Sequence, residues 1–295
     1  MNKWKAHAAV LSANLIFGFN FSAVQYITRN WVAPFGLNVI RVTVSSALLW
    51  IVLLFGKQQP GIRKEHIGRF ILCALTGVVI NQLLFIKGLS MTLSIHASLL
   101  ILVTPIFITF VAAWLGQEGM SVLKIAGLVL GVSGAVMLAM ERPGSHKGND
   151  ILWGDIFIII NAISYAFYFV LVKPLMKEYS PVHVLRWVFT IGLIVMVPIG
   201  WNEFNAIHWS SFSWREFSVL AFIVLFATFF AYLFNIYGIQ YLGASITGAY
   251  IYTQPVFATL IAVIFLNEML TWYKAAAAVL IAGGVLLVSR KKEAT

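Results

Sequence analysis

Charge is scarce in this chain. Only 10% of its 295 residues are Asp, Glu, Lys or Arg, against roughly 25% in an ordinary soluble domain, while 61% are hydrophobic. Such a composition argues against a conventional soluble globular domain. A single cysteine, Cys73, excludes an internal disulfide and any multi-cysteine metal or iron-sulfur site. Lying within an apolar run, it reads as a small buried hydrophobe. The short motifs that carry catalysis or nucleotide use are missing too: no serine elbow, no HExxH, no phosphate-binding loop, no His and carboxylate pair at metal-ligand spacing. The sequence thus points to no enzyme, cofactor or metal, and any pumping would have to draw on ion or substrate gradients. The formal net charge of +10 is scattered singly or in short groups between apolar segments, which argues against a nucleic-acid partner.

What the chain has in quantity is long apolar runs. A spanning helix needs roughly 20 apolar residues to cross about 30 Å of hydrocarbon. Runs bounded by charge, Gly or Pro place spans at 7–27, 34–55, 67–88, 95–116 and 122–140, then at 152–173, 181–200, 216–238, 246–267 and 272–289. A tight turn is expected across Lys87 to Ser94. Ten spans leave no room for a separate soluble domain. Lys3 and Lys5 precede the first run as in a signal peptide, but the run continues past Phe21 without a small-residue cleavage site, so it reads as a retained helix.

Positive charge in short loops stays cytoplasmic. Counting from an inside N-terminus, the inner segments hold Lys3, Lys5, Lys57, Arg63, Lys64, Arg69, Lys124, Lys173, Lys177, Arg290, Lys291 and Lys292, and the outer loops mainly Arg29, Arg142, Lys147, Arg215 and Lys274. Both termini are therefore expected in the cytoplasm, and an even number of spans agrees with their lying on one side.

The two halves match at a fixed offset of 150: Gly88 with Gly238, Pro105 with Pro255, Glu118 with Glu268, Lys124 with Lys274, Gly134 with Gly284. Near the start of each half the offset is 147, pairing Asn14 with Asn161, Phe21 with Tyr168 and Pro34 with Pro181; Arg41 and Arg186 need one further small gap. The expected units are 1–143 and 144–295. Five helices begin and end on opposite sides of the membrane, so the second unit would be inverted relative to the first. Many secondary transporters share that plan, with a midplane site exposed to each side in turn.

The segments "LILVTPIFITFVAAWLGQEGMSVLKIAGLVLGVSGAVML", "YIYTQPVFATLIAVIFLNEMLTWYKAAAAVLIAGGVLLV" and "LNVIRVTVSSALL" resemble the drug/metabolite transporter superfamily, specifically its EamA-like branch. The resemblance covers essentially the whole chain. It implies an all-α integral membrane protein, ten transmembrane helices as two inverted five-helix repeats around a central cavity, with export of amino acids, related metabolites or xenobiotics as the commonest activity. The expected setting is a bacterial inner membrane.

Polar groups within spans are costly unless they face other helices or a wet cavity. Asn14, Phe17, Gly18, Phe21 and Gln25 share one face of the first span, and Asn161, Ser164, Tyr165, Tyr168 and Val172 the matching face of the sixth. Asn81, Gln82 and Phe85 correspond to Tyr232 and Asn235, and the fourth and ninth spans add His96, Thr104, Tyr250, Tyr252 and Gln254. The candidate substrate-binding set is Asn14, Gln82, Asn161, Tyr165, Tyr168, Tyr232, Asn235, Tyr250, Gln254 and Arg41. Each also has a packing reading, since Asn, Ser and Gly serve helix–helix contacts. Walls of amides and aromatics suit a zwitterion with an apolar side chain, or a lipophilic cation. Arg41 and Arg186, about two turns inside their helices, are read as snorkelling or paired, with Arg41 also a candidate for a substrate carboxylate. Pro105 and Pro255 are candidate gating hinges, expected mid-helix. Glu118 and Glu268 read as a structural loop motif. His96 reads first as a hydrogen-bonded helix starter; with Asp155 it is the one titratable group near the membrane suggesting proton coupling. The expected partners are a small-molecule substrate and the lipid bilayer. A passive channel, a membrane-embedded lipid-modifying enzyme and a non-transporting assembly or receptor subunit remain as alternatives.

Overall fold

The computed structural model describes residues 3–54, 61–115, 121–139, 148–242, 247, 250–267 and 269–289. The loop motif at Glu118 and Glu268, and the loop charges Lys57, Arg142, Lys147, Arg290, Lys291 and Lys292, lie outside these residues. Among the described residues all regular structure is helical. The first half holds α1 (Lys3–Asn30), α2 (Pro34–Leu54), α3 (Ile67–Ala74), α4 (Ile80–Met91), α5 (Ser94–Leu100), α6 (Thr104–Trp114) and α7 (Val122–Ala139). The second holds α8 (Gly148–Val172), the short α9 (Leu175–Glu178), α10 (Pro181–Asn205), α11 (Trp214–Ala221), α12 (Ala231–Leu242), α13 (Gln254–Leu266) and α14 (Trp272–Ser289).

Several boundaries follow from local chemistry. Pro34 and Pro181 open α2 and α10, where a missing N–H costs no intrahelical bond. The Ser180 hydroxyl caps α10 by accepting from the His183 N–H. Two spans carry π segments at matching places: Leu75–Val79 joins α3 to α4, and Phe222–Phe230 joins α11 to α12. Pro105 and Pro255 correct the expectation of mid-helix kinks. Each stands in the first turn of its helix, directly after a 3-10 turn at Ile101–Val103 or Tyr250–Thr253. Because the proline ring displaces the carbonyl four residues earlier, the helix tightens and restarts rather than bending as one piece. The turn expected from Lys87 to Ser94 shrinks to Thr92 and Leu93. Its reason is a close backbone approach. A Cβ on Gly88 or on Gly154 would lie 2.8 Å from the other's carbonyl oxygen, so α4 stays helical while seated against α8.

Among the described residues, seven stretches are long and apolar enough to cross a membrane: Lys3–Asn30, Pro34–Val52, Lys64–Met91, Ser94–Trp114, Asp150–Glu178, Pro181–Asn205 and Trp214–Leu242. Tyr250–Leu266 is apolar but shorter. Large apolar side chains point outward along these stretches and along α7, with Ile194 69%, Ile264 65% and Val129 64% exposed. In water such a surface would aggregate; hydrocarbon solvates it.

Helix pairings come in matched sets. α2 packs on α10 and α7 on α14; α4 runs along α8 as α12 runs along α1; α6 contacts α8 as α13 contacts α1. Buried apolar side chains gather in two large clusters, one around Phe21, Ile86, Ile95 and Ile251, the other around Phe70, Phe169, Phe189 and Ile236. Phe85 packs against the first, Tyr165 and Tyr232 against the second. A cavity with a largely apolar wall and a few polar side chains takes its lining from both.

Candidate functional site

The cavity is walled by α1, α2, α4, α8, α12, α13 and the two 3-10 turns. From α1 come Phe17, Asn20 and Phe21; from α4, Asn81, Gln82 and Phe85. Helix α8 gives Asn161 and Tyr165, α12 gives Tyr232 and Asn235, and Arg41, Gln254, Ile101 and Ile251 complete the wall.

Its polar side chains are tied across helices. Gln82 Nε2 donates to the Tyr232 hydroxyl at 3.3 Å, and Asn235 Nδ2 donates to the Tyr165 hydroxyl at 2.8 Å. Asn161 Nδ2 donates to the Asn81 carbonyl at 2.7 Å. Arg41 is buried, and its Nε donates to Thr228 Oγ1 at 2.8 Å within the second π segment. Aromatic rings stiffen these walls edge to face: Phe17 against Tyr232 with centroids 6.2 Å apart, Phe21 against Phe85 at 5.6 Å.

Three residues of the expected set stand elsewhere. Asn14 sits behind the wall, its Oδ1 accepting from Gln254 Nε2 at 2.6 Å and its Nδ2 donating to the Val10 carbonyl. The Tyr168 ring is turned away from the cavity and lies over Gly77, so closely that a Cβ there would be 2.3 Å from it. Tyr250 meets His7 through its hydroxyl, 2.8 Å from Nδ1, near the N-terminal end of α1. Asn20 and Thr228 were not singled out by sequence. Asn20 carried a signal, an amide within a spanning helix; Thr228 carried none, because the π segment alone brings it to Arg41.

Away from the cavity, α1 is tied to a second polar cluster. Gln25 Nε2 donates to the Thr92 carbonyl at 2.6 Å, and Ser94 Oγ donates to Gln25 Oε1 at 2.8 Å. Thr92 Oγ1 donates to Asp155, whose other oxygen lies 3.0 Å from His96 Nδ1. His96 and Asp155 are wholly buried, so His96 is more than the helix starter expected of it. Arg186 is buried against the Trp50 ring, with its guanidinium carbon 4.7 Å from the ring centroid and one nitrogen 2.8 Å from His183 Nδ1. That aromatic contact replaces the expected snorkelling. Among the described residues, no cluster of His, Cys, Asp and Glu could hold a metal ion.

Comparison with known proteins fits this architecture. Residues 4–140 and 152–290 each match the model of the EamA-like transporter family. The chain belongs to that family. An uncharacterized transporter of Archaeoglobus fulgidus is 23% identical over 99% of this chain and 100% of its own. The uncharacterized transporter YoaV of Bacillus subtilis is 22% identical over 96% of each. A Streptantibioticus cattleyicolor protein named as a probable terminal-alkyne amino-acid exporter is 28% identical over 56% of this chain and 54% of its own. One solved crystal structure, 18% identical, superposes with a TM-score of 0.67 over 98% of both chains, a likeness of fold alone. This EamA-like protein is therefore a multi-pass membrane protein of a transporter family, not of an enzyme family.

Proposed function

We propose that this protein is a secondary transporter that exports amino acids with aromatic or other apolar side chains, or related small metabolites, by alternating access. The observation that carries the reading is the cavity: one space lined by amides, phenols, phenyl rings and a single guanidinium, reached by six helices drawn from both halves of the chain. Ten spans arranged as two inverted repeats, 1–143 and 144–295, account for the matched helix pairings. They also account for one contact. Gln82 and Tyr232 are equivalent positions at the offset of 150, and they bond to each other, which equivalent residues can do only beside the axis relating two repeats. A cavity on such an axis is where two opposed halves can exchange conformations.

Export of an amino acid draws support from the relative named as an amino-acid exporter. In the same reading the protein sits in a bacterial inner membrane with both termini cytoplasmic, Pro105 and Pro255 mark the gating turns, and the buried His96–Asp155 pair is the proton site. Counterflow in proteoliposomes tests the transport reading. Saturable exchange of a labelled aromatic or aliphatic amino acid supports a carrier. Large unitary currents in a planar bilayer would instead identify a channel, and an absence of flux from folded protein would overturn transport altogether.

A further inference from the structure

Arg41 sets the charge of the cavity. Its side chain is 3% exposed, Nε is satisfied by Thr228, and Nη1 has no hydrogen-bond partner. Among the described residues no Asp or Glu pairs with it, and no acidic or second basic side chain lines the cavity. A buried guanidinium with an unused face is a strong site for a carboxylate, because its planar fork matches the two oxygens and the low-dielectric surroundings strengthen the pairing. The same charge repels a cation, which would find no counter-ion there.

The remaining polar atoms complement this. Asn20 Oδ1, Gln82 Oε1 and Asn161 Oδ1 belong to buried side chains of the wall and have no donor. The direction of Asn161 follows from chemistry: its nitrogen faces the Asn81 carbonyl, which can only accept, so its oxygen is the free end. Asn161 Oδ1 is thereby fixed as an acceptor, and the amides of Asn20 and Gln82, which can turn either end inward, can present oxygens beside it to the N–H bonds of an ammonium group. The rings of Phe17, Phe21 and Phe85 supply the apolar side.

Resting on the transport reading above, we infer that the ligand is a monocarboxylic zwitterion bound end to end, its carboxylate on Arg41 and its ammonium on the amide oxygens of Asn20, Gln82 and Asn161. Lipophilic cations are excluded by the unpaired guanidinium, and dicarboxylates and phosphate esters by the single positive charge.

Two matched ligand sets on purified full-length protein test this: phenylalanine, phenylethylamine and phenylpropionate, and leucine, isopentylamine and 4-methylpentanoate. Thermal melting reads binding and proteoliposome counterflow reads transport. The zwitterion of at least one set is expected to bind, with its amine weaker by about ten- to a hundredfold, the effect of losing a charged hydrogen bond. Its deaminated acid should fall between the two. Arg41→Gln should lose zwitterion binding by a similar factor, and Arg41→Lys should restore part of it. If Arg41→Gln fails to fold, the wild-type ligand series decides alone. Binding or exchange of the amines at least as strong as the zwitterions overturns the inference and leaves transport standing, as does exchange of methyl viologen with no response to either zwitterion. Stabilisation by a zwitterion without flux of any solute supports the site and overturns transport. Neither binding nor flux overturns both.

Discussion

The bond from Gln254 Nε2 to Asn14 Oδ1 joins α13 to α1 at one end of the cavity, with the His7–Tyr250 contact beyond it toward the N-terminal end of α1. In an alternating-access carrier with a cytoplasmic N-terminus, this bond holds the inner side closed. Side-chain hydrogen bonds between membrane helices contribute about 0.6 kcal/mol on average and up to about 1.7. Removing this one should therefore raise the inward-open to closed ratio by roughly 3- to 18-fold. The assay is thiol labelling of a cysteine placed at Ile251, on the wall beside Gln254, in a Cys73→Ala background. When opening is fast relative to labelling, the rate follows the open fraction. Gln254→Ala should speed labelling from the cytoplasmic side by that factor, and Asn14→Ala should do the same. The double variant should add little more, since either substitution already breaks the bond. Unchanged labelling in both single variants, or full additivity in the double, would refute the claim that this bond is a closing contact.

Three further outcomes follow from particular contacts. Gly154→Val puts a side chain where α4 backbone already stands, 2.8 Å from both the Gly88 carbonyl and the Thr92 amide; the protein should fold poorly and melt several degrees lower, as read by fluorescence size exclusion of heated samples. Tyr168→Phe should keep wild-type melting and transport, whereas Tyr168→Ala should cost about 3–5 kcal/mol on the scale of buried aromatic truncations. A transport defect in Tyr168→Phe at normal stability would return its hydroxyl to the binding site. Asp155→Asn removes the carboxylate shared by Thr92 and His96, and is expected to uncouple uptake into vesicles from an imposed pH gradient while leaving counterflow intact. Gradient-driven accumulation at the wild-type level would refute the proton role.

The two faces read from helical periodicity show how far sequence reasoning reached. Residues 14, 17, 18, 21 and 25 do share a side of α1, yet they serve four purposes, with Gly18 allowing the close approach of Phe257. Phe17 and Phe21 line the cavity, Asn14 braces Gln254 from behind, and Gln25 reaches the Thr92 and Ser94 cluster. On α8, Asn161 and Tyr165 face the cavity, while Ser164 bonds to the Thr76 carbonyl and Tyr168 packs on Gly77. Periodicity assigns a direction to each side chain, but a face as wide as this meets more than one neighbour. His96 shows the same limit: 59 positions separate it from Asp155, and nothing local signals that they meet.

Composition and pattern alone determined that the chain is helical, apolar along its length, internally repeated, and supplied with amides and aromatics where a bilayer disfavours them. Those properties follow from the cost of leaving polar groups in hydrocarbon and from the fixed repeat of the helix. Tertiary structure decided which of those polar groups meet. The π segments shift the register within two spans, the 3-10 turns before Pro105 and Pro255 redirect two more, and the Gly88–Gly154 approach sets how closely α4 and α8 run. Each of these is a contact or a backbone choice settled between helices distant in sequence, and together they leave Arg41 buried beside a cavity with no counter-ion among the described residues.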